Sequence, residues 1–315
     1  MEYRKLISFG KSSYVISLPK AWVVQNKLKK GDLIYVDEKE SSLILSPNDS
    51  HENGDELETL ISVDGKEIKQ IKREIIGAYI RNSKTIILSG NEIKDKAKVL
   101  QQIIQSLVAM EVMEQTSKKI VAKDFLNMND VSTGTIIRKI DIIIRSMFDD
   151  CVNVFEDDTS DNIEHRDEDI NKLTFLIFRI VKFGMESSSY MIKKFNLRSR
   201  DLLDLWLLSS DLESIADEVK RISRYMVRIK LTKKEKEKFK DILKEIKTSY
   251  LIIMKAYYDK SIEPVHKTIN QREGIIARCE QFYKDNKPVE EIGFLVDRTK
   301  ACIVHIHHIG RTLYQ

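Results

Sequence analysis

Two acidic residues in the second half of the chain have the spacing of a cation-binding pair. Glu213 and Asp217 are four residues apart, so a helix places both carboxylates on one face. Leu212, Ile215 and Val219 recur beside them at helical spacing, which indicates that this face adjoins a core. Because two like charges at this spacing repel each other, a positive group is expected nearby.

Two kinds of positive group would satisfy this pair. Arg221 stands one turn beyond Asp217 and would form a salt bridge with it. A bound metal ion would instead use the carboxylates as ligands. The residues alone leave both alternatives open.

A second candidate for metal binding lies near the end of the chain. His305 and His308 are three residues apart and share a helix face, and two imidazoles in this arrangement can chelate zinc, copper or nickel. The alternative is that they are solvated histidines that favour the helix C-terminus. His307 points elsewhere and is not included.

The composition is typical of a helical protein. The 315 residues include 32% charged and 42% hydrophobic residues, with only 4 prolines and 11 glycines, which permits long helices. The length predicts two or three domains. A net charge of +4 neither requires nor excludes nucleic acid, so the distribution of charge has to decide.

The three cysteines predict neither a zinc ribbon nor a redox motif. Cys151, Cys279 and Cys302 are scattered and form no CxxC pair, so we expect reduced, buried thiols. The sequence also lacks an apolar signal core and any run of about 18 apolar residues. We therefore expect a cytoplasmic protein that is not an integral membrane protein.

From residue 131 onward the apolar pattern is helical almost to the end. Six segments are predicted at 132–157, 161–194, 199–230, 232–260, 263–285 and 289–314. Thr232 followed by Glu235 has the spacing of a capping box. Six helices suit two antiparallel three-helix bundles, at 131–230 and 231–315, so the expected fold is mainly α.

A small α/β connector is predicted at 48–130. It consists of a polar linker at 48–58, a helix at 67–81, a strand at 84–88, a helix at 95–113 and a strand at 119–122. It contains no glycine-rich phosphate loop and no catalytic constellation.

The first 47 residues predict short strands, at 14–18, 33–36 and 43–45, and a short helix after Pro19. Strands this short cannot bury a core by themselves, so a partner chain is expected to complete the domain. Up to residue 36, Glu2 and Asp32 are the only acids. The bases there are Arg4, Lys5, Lys11, Lys20, Lys27, Lys29 and Lys30.

Two motifs in this segment resemble the AbrB/SpoVT family. They are RKLISFGKSSYVISLPKAW at 4–22 and LKKGD at 28–32. The resemblance implies a swapped-hairpin β-barrel in which two chains interleave and grip DNA. The residues it suggests for DNA contact are Arg4, Lys5, Lys11, Ser12, Ser13 and Lys20. The alternative is a solubilising surface or a module that only dimerises.

The helical half resembles the PhoU family in RDEDINKLTFLIFR at 166–179 and DLESIAD at 211–217. In that family E/D-x-x-x-D motifs hold iron, zinc or other metal ions. Carried over by position, the resemblance implies ligands at Asp167, Asn171, Glu213 and Asp217. Asn171 stands where the family has Asp, and its uncharged amide lowers the expected affinity.

With both resemblances taken together, the chain is similar to archaeal PhoU-family phosphate uptake regulators that have an AbrB-like N-terminus. We expect a homodimeric, DNA-binding transcription regulator whose helical half senses a metal, phosphate status or a partner. The alternative is an accessory protein that docks on a phosphate transporter or a sensor kinase and uses the barrel only to dimerise. An enzyme is not expected, because neither a general base nor a substrate pocket can be named.

Overall fold

The computed structural model describes residues 3–39, 42–46, 57–157, 159–186, 195 and 197–314. The chain separates into two compact units, Met1–Asp55 and Glu56–Gln315. The predicted linker at 48–58 lies outside the described residues except for its last two positions. The end of the second predicted helix, at 187–194, also lies outside the described residues.

The described residues of the first unit form two hairpins and a short helix. Strands β1 (Ile7–Phe9) and β2 (Ser13–Val15) form one antiparallel pair, and β3 (Tyr35–Lys39) and β4 (Ser42–Ser46) form another. Helix α1 (Lys20–Gln25) begins directly after Pro19, as predicted. The predicted strand at 14–18 is shorter and ends at Val15. Gly10, with φ of 71°, makes the tight turn between β1 and β2.

The second unit begins with an α/β layer. Its elements are β5 (Glu58–Ser62), α2 (Ile68–Ile80), β6 (Thr85–Ser89), α3 (Ile93–Gln105), β7 (Met110–Gln115) and β8 (Lys119–Asp124). The sheet order is β5-β6-β8-β7, with β5 and β6 parallel and the other neighbours antiparallel. Helices α2 and α3 supply the apolar side chains of a core that the sheet completes.

Two predictions for this layer were wrong. The predicted helix at 95–113 ends at Gln105, and Met110–Gln115 instead pairs with β8 as a strand. Ala109, with φ of 59°, lies in the left-handed region, where a helix cannot continue. Strand β5 was not predicted: Glu58 was assigned to the linker, and no element was predicted at 59–62.

Six long helices follow in the described residues from 133 to 312, close to the predicted positions. They are α4 (Thr133–Asn153), α5 (Ser160–Glu186), α6 (Ser199–Arg228), α7 (Lys233–Asp259), α8 (Glu263–Asp285) and α9 (Ile292–Thr312). The capping box of α7 is confirmed: Thr232 Oγ1 accepts from the Glu235 N–H, and the Glu235 carboxylate accepts from the Thr232 N–H. Helix α9 begins later than predicted, because Glu291 adopts a positive φ of 62°.

One apolar core runs through the whole helical region. Helix α6 packs against α4, α5 and α9, and buried residues of both predicted bundles belong to the same cluster. The three cysteines are buried and unbonded, as predicted. Within the described residues, no helix is long and apolar enough to cross a membrane.

A buried arginine joins the α/β layer to the helices. Arg179 of α5 is fully buried, and its guanidinium donates to both carboxylate oxygens of Asp124 at 3.0 and 2.5 Å. It also donates twice to Asn82 Oδ1, at 3.0 and 2.8 Å, and lies 4.7 Å from the ring centre of Tyr79. Because a buried charge needs this complete a set of partners, the joint fixes α5 against the sheet.

Candidate functional site

Helix α6 presents charged residues on two opposite faces. Glu213 and Asp217 face α5, whereas Asp211 and Glu218 face α9. A shift of two residues turns a helix by about 200°, which explains why Asp211 and Glu213 point in opposite directions. The predicted metal-binding residues therefore divide between two places.

The first place is the acidic cluster of Asp167, Glu213 and Asp217. Lys220 Nζ lies 2.6 Å from Asp167 Oδ2 and 2.8 Å from Asp217 Oδ1, so its ammonium bridges α5 and α6. Arg221 also pairs with Asp217, as the salt-bridge alternative requires. The Asp167 side chain is 8% exposed and that of Lys220 is 15% exposed, so water screens this bridge only weakly.

Burial and mutual repulsion govern protonation in the acidic cluster. Burial raises the pKa of Asp167, and the hydrogen bond from Lys220 only partly opposes this. Burial and the nearby charges of Asp217 and Asp167 raise the pKa of Glu213. For Lys220, burial lowers the pKa, but hydrogen bonds to the two aspartates outweigh burial and raise it overall. The ammonium is therefore held in its charged form.

This arrangement suits an internal ion-pair network better than a metal site. Three carboxylates face two cations, Lys220 and Arg221, and the Lys220 ammonium lies between two of the expected ligands. Asn171 directs its amide N–H, 3.0 Å away, at Asp167 Oδ2, so it acts there as a donor. Metal binding by Asp167, Asn171, Glu213 and Asp217 stays a prediction, and it requires a cation to displace Lys220.

The second place contains Asp211, His305 and His308, which we call the His–Asp site. Asp211 Oδ1 lies 3.1 Å from His305 Nδ1 and 3.4 Å from His308 Nδ1. The two imidazoles stand edge to face, with ring centres 5.7 Å apart. One ligand atom from each residue lies within 4.8 Å of the other two. Among the residues that the structure describes, only this trio of His, Cys, Asp or Glu meets that distance.

The sequence predicted the two histidines of this site but missed Asp211 as their partner. Asp211 belongs to the same short stretch as Glu213 and Asp217, and helical spacing alone shows that it faces away from them. The packing of α6 against α9 determines which residues of α9 contact Asp211. The sequence pattern of a single helix does not contain this information. His307 is buried and lies outside the site, as predicted, and burial lowers its pKa to about 4.

Asp211 differs from its acidic neighbours in how its charge is balanced. Glu218 Oε1 accepts from Arg221 at 2.6 Å and from Arg298 at 3.3 Å. Within the described part of the chain, Asp211 contacts the two histidines and forms no ion pair with Lys or Arg. An imidazole carries a charge only when it is protonated, so the His–Asp site has a carboxylate without a permanent counter-ion among the described residues.

The predicted DNA-contacting residues all lie on the exposed surface of the first unit. Lys11 and Ser12 form the turn between β1 and β2, and Ser13 is the first residue of β2. Lys20 begins α1, and Arg4 and Lys5 precede β1. Three of the six, Lys11, Ser12 and Ser13, are consecutive residues that lie in the β1–β2 turn and at the start of β2.

The same unit exposes a large amount of apolar surface. None of its described residues is buried. Phe9 is 71% exposed, Tyr14 70% and Leu33 75%. The other exposed large apolar residues of this unit are Tyr3, Leu6, Ile7, Val15, Ile16, Val24, Val36 and Leu43. Exposed apolar surface of this density indicates an interaction face.

A cavity of about 1040 Å³ lies among the start of α4, the start of α6 and the ends of α7 and α9. Its lining includes the bases Arg138, Arg200 and Lys260 and the acids Asp201 and Asp204. Because both signs of charge line it, it does not select an anion, and no role is assigned to it.

Two known families match separate parts of the chain. Residues 137–226 match the PhoU domain, which spans most of α4, all of α5 and nearly all of α6, and which includes the acidic cluster. Residues 7–53 match the family described as antidote-toxin recognition MazE, bacterial antitoxin. His305 and His308 lie outside both matches. A search of curated proteins finds no match to the chain. The chain therefore contains a PhoU domain and, ahead of it, an N-terminal MazE/AbrB-like domain.

Proposed function

We propose that the protein is a dimeric, DNA-binding transcription regulator of phosphate uptake or signalling that acts in the cytoplasm. The observation that carries this proposal is a basic first unit, with no buried residue among those described, on the same chain as a PhoU domain. The MazE/AbrB-like domain supports DNA binding and dimerisation, and the PhoU domain supports the link to phosphate.

Dimerisation follows from the apolar surface of the first unit. Hairpins of three and five residues per strand cannot be stable in water with their apolar side chains exposed. A second copy of the same unit would cover Phe9, Tyr14 and Leu33 and would provide the missing core. We therefore expect the two first units to combine into one swapped-hairpin barrel.

DNA binding follows from charge. Seven bases face two acids before residue 37, and a dimer doubles this excess. Lys and Arg that contact phosphates provide most of the sequence-independent affinity for DNA. Lys11, Ser12 and Ser13 would place one ammonium, two hydroxyls and the turn's backbone N–H groups against the phosphate backbone.

A gel shift tests the DNA-binding proposal. The full chain should bind duplex DNA, and its affinity should fall steeply between about 50 and 200 mM salt, because bound phosphates release counter-ions. Lys5→Ala and Lys11→Ala should each weaken binding to all sequences and reduce the salt slope by about one for each copy of the chain. Lys244→Ala, an exposed lysine of α7, is the matched control and should change neither quantity. Absence of binding at the lowest salt would refute the proposal.

The second candidate is an accessory protein that docks on a phosphate transporter or a sensor kinase, favoured by the PhoU domain. Deletion of residues 1–47 separates the two candidates. If wild-type protein binds DNA and the deletion abolishes binding, the regulator is supported. If wild-type protein binds no DNA and the deletion abolishes only dimerisation, the accessory role is supported.

A further inference from the structure

We propose that Asp211, His305 and His308 bind a transition-metal ion of the zinc, nickel or cobalt type, and that this ion links α6 to α9. Two imidazoles from one helix and one carboxylate from another converge on a single point. The site is separate from the acidic cluster of the PhoU domain, and two of its three ligands lie beyond the residues that match that domain.

The distances suit a metal ion with little rearrangement. Tetrahedral zinc with bonds of about 2.0–2.1 Å holds neighbouring ligand atoms about 3.3 Å apart. The two measured separations from Asp211 Oδ1 are 3.1 and 3.4 Å. Small side-chain rotations would therefore place both Nδ1 atoms and the carboxylate around one ion.

Charge also favours a cation at this site. Lys220 compensates the acidic cluster on the other face of α6, and Arg298 and Arg221 compensate Glu218. Among the described residues, Asp211 has the two histidines as partners and no Lys or Arg. A bound divalent ion would supply a permanent positive charge beside this carboxylate.

The ligand types select the class of metal. Imidazole nitrogen suits zinc, nickel, cobalt and copper, whereas magnesium and calcium prefer sites made only of oxygen. Three protein ligands leave a fourth position for water or another ligand. His308 is 44% exposed and Asp211 15% exposed, so an ion can enter from solvent and can exchange. These properties suit a sensor better than a permanently bound structural ion.

The competing explanation is a hydrogen-bonded cluster without metal, in which both imidazole N–H groups donate to Asp211 Oδ1. This explanation predicts that the His–Asp site stabilises the α6–α9 contact. It also predicts that Zn²⁺ and Co²⁺ bind equally well to the wild type and to variants of Asp211, His305 and His308.

The test is titration of the full, untagged, chelator-treated chain with Zn²⁺ by calorimetry and with Co²⁺ by visible absorption. We expect one ion per chain and a Co²⁺ spectrum of low coordination number. Asp211→Asn, His305→Gln and His308→Gln should each weaken binding at least about tenfold. His266→Gln changes an exposed histidine that contacts Tyr314 and is the matched control. Asp217→Asn controls for the acidic cluster, and neither control should weaken binding.

Two results would overturn the proposal. One is the absence of Zn²⁺ and Co²⁺ binding by folded wild-type protein. The other is equal affinity in the wild type and in the three site variants, each verified as folded by circular dichroism.

The role of this ion as an effector rests on the proposed function, but its binding does not. Binding is measured without DNA, and gel shifts with and without Zn²⁺ are a separate measurement. Metal binding without DNA binding would retain the site and refute the regulator. DNA binding without metal binding would support the regulator and refute the metal site.

Discussion

Replacement of Lys220 by Met tests whether an internal ammonium takes the place of a metal ion in the acidic cluster. The variant keeps the length of the side chain and removes its charge. Asp167 and Asp217 then lose the hydrogen bonds of 2.6 and 2.8 Å that Lys220 provides. Glu213 stays beside them, so three carboxylates remain with Arg221 as their nearest cation.

The size of the effect follows from burial. Removal of one partner of a buried ion pair costs about 3–5 kcal/mol, because the other charge stays buried. Asp217 is 24% exposed and Lys220 15% exposed, so solvent recovers part of this cost. We expect the free energy of unfolding at pH 7 to fall by about 2–3 kcal/mol.

The pH dependence gives the sign of the effect. Asp167 and Glu213 already have raised pKa values in the folded protein, and removal of the ammonium raises them further. A carboxyl with a raised folded pKa binds more protons in the native state than in the unfolded state, so it favours folding as the pH falls. The deficit of the variant should therefore shrink by about 1 kcal/mol or more between pH 7 and pH 5, since one pKa unit corresponds to about 1.4 kcal/mol.

Urea denaturation of wild type and Lys220→Met at both pH values measures these differences. Arg224→Met is the matched control, because Arg224 also reaches from α6 to α5 but pairs with Glu164 at an exposed position. It should cost less than about 1 kcal/mol at either pH. Millimolar Mn²⁺ should stabilise Lys220→Met more than wild type. A variant as stable as wild type at pH 7, with a parallel pH profile, would show that Lys220 is not the compensating cation.

Three further substitutions test the fold that positions these sites, each by urea denaturation. Arg179→Leu should lower the free energy of unfolding by about 3–5 kcal/mol. The Asp124 side chain is fully buried, and Arg179 and Lys84 hold its pKa low although burial raises it. The control Lys182→Leu, at an exposed position on α5, should leave the free energy of unfolding nearly unchanged. Gly90→Ala should cost more than about 2 kcal/mol, because φ is 147° and a Cβ would lie 2.9 Å from Val63 Cγ2. Thr232→Ala should cost about 1 kcal/mol through loss of the capping box, and Thr232→Ser should restore most of it.

The six long helices were predictable because each repeats its apolar face over several turns. Where prediction failed, the missing information was not local. In the four-stranded sheet, the two strands that were missed, β5 and β7, are the two edges. Strand β1 of the first unit was missed as well. Both edge strands are largely exposed and lack the continuous apolar run of the central strands β6 and β8, which were predicted. Pairing with a neighbouring strand, rather than intrinsic pattern, gives the edges their conformation.

The candidate sites show the same limit. Helical spacing identified Arg221 as a partner of Asp217, and the structure confirms the pair. Lys220 is adjacent in sequence, yet its main partner is Asp167, 53 residues away, and only the packing of α5 against α6 creates that contact. Asp211 was missed as a partner of His305 for the same reason. The charge of the first unit, in contrast, was predictable because it depends on composition alone.

The ammonium of Lys220 and a bound metal ion would make helix contacts depend differently on the supply of metal. A lysine is always present, so the α5–α6 contact that it stabilises does not vary with the supply of metal. The α6–α9 contact at the His–Asp site has no such built-in cation. If the helical half responds to a metal, hydrogen exchange should therefore slow on α6 and α9 around Asp211 and His305 when Zn²⁺ is added. The backbone around Asp167 should exchange at an unchanged rate. Equal protection of both contacts would indicate that the acidic cluster also binds the ion and that Lys220 gives way to it.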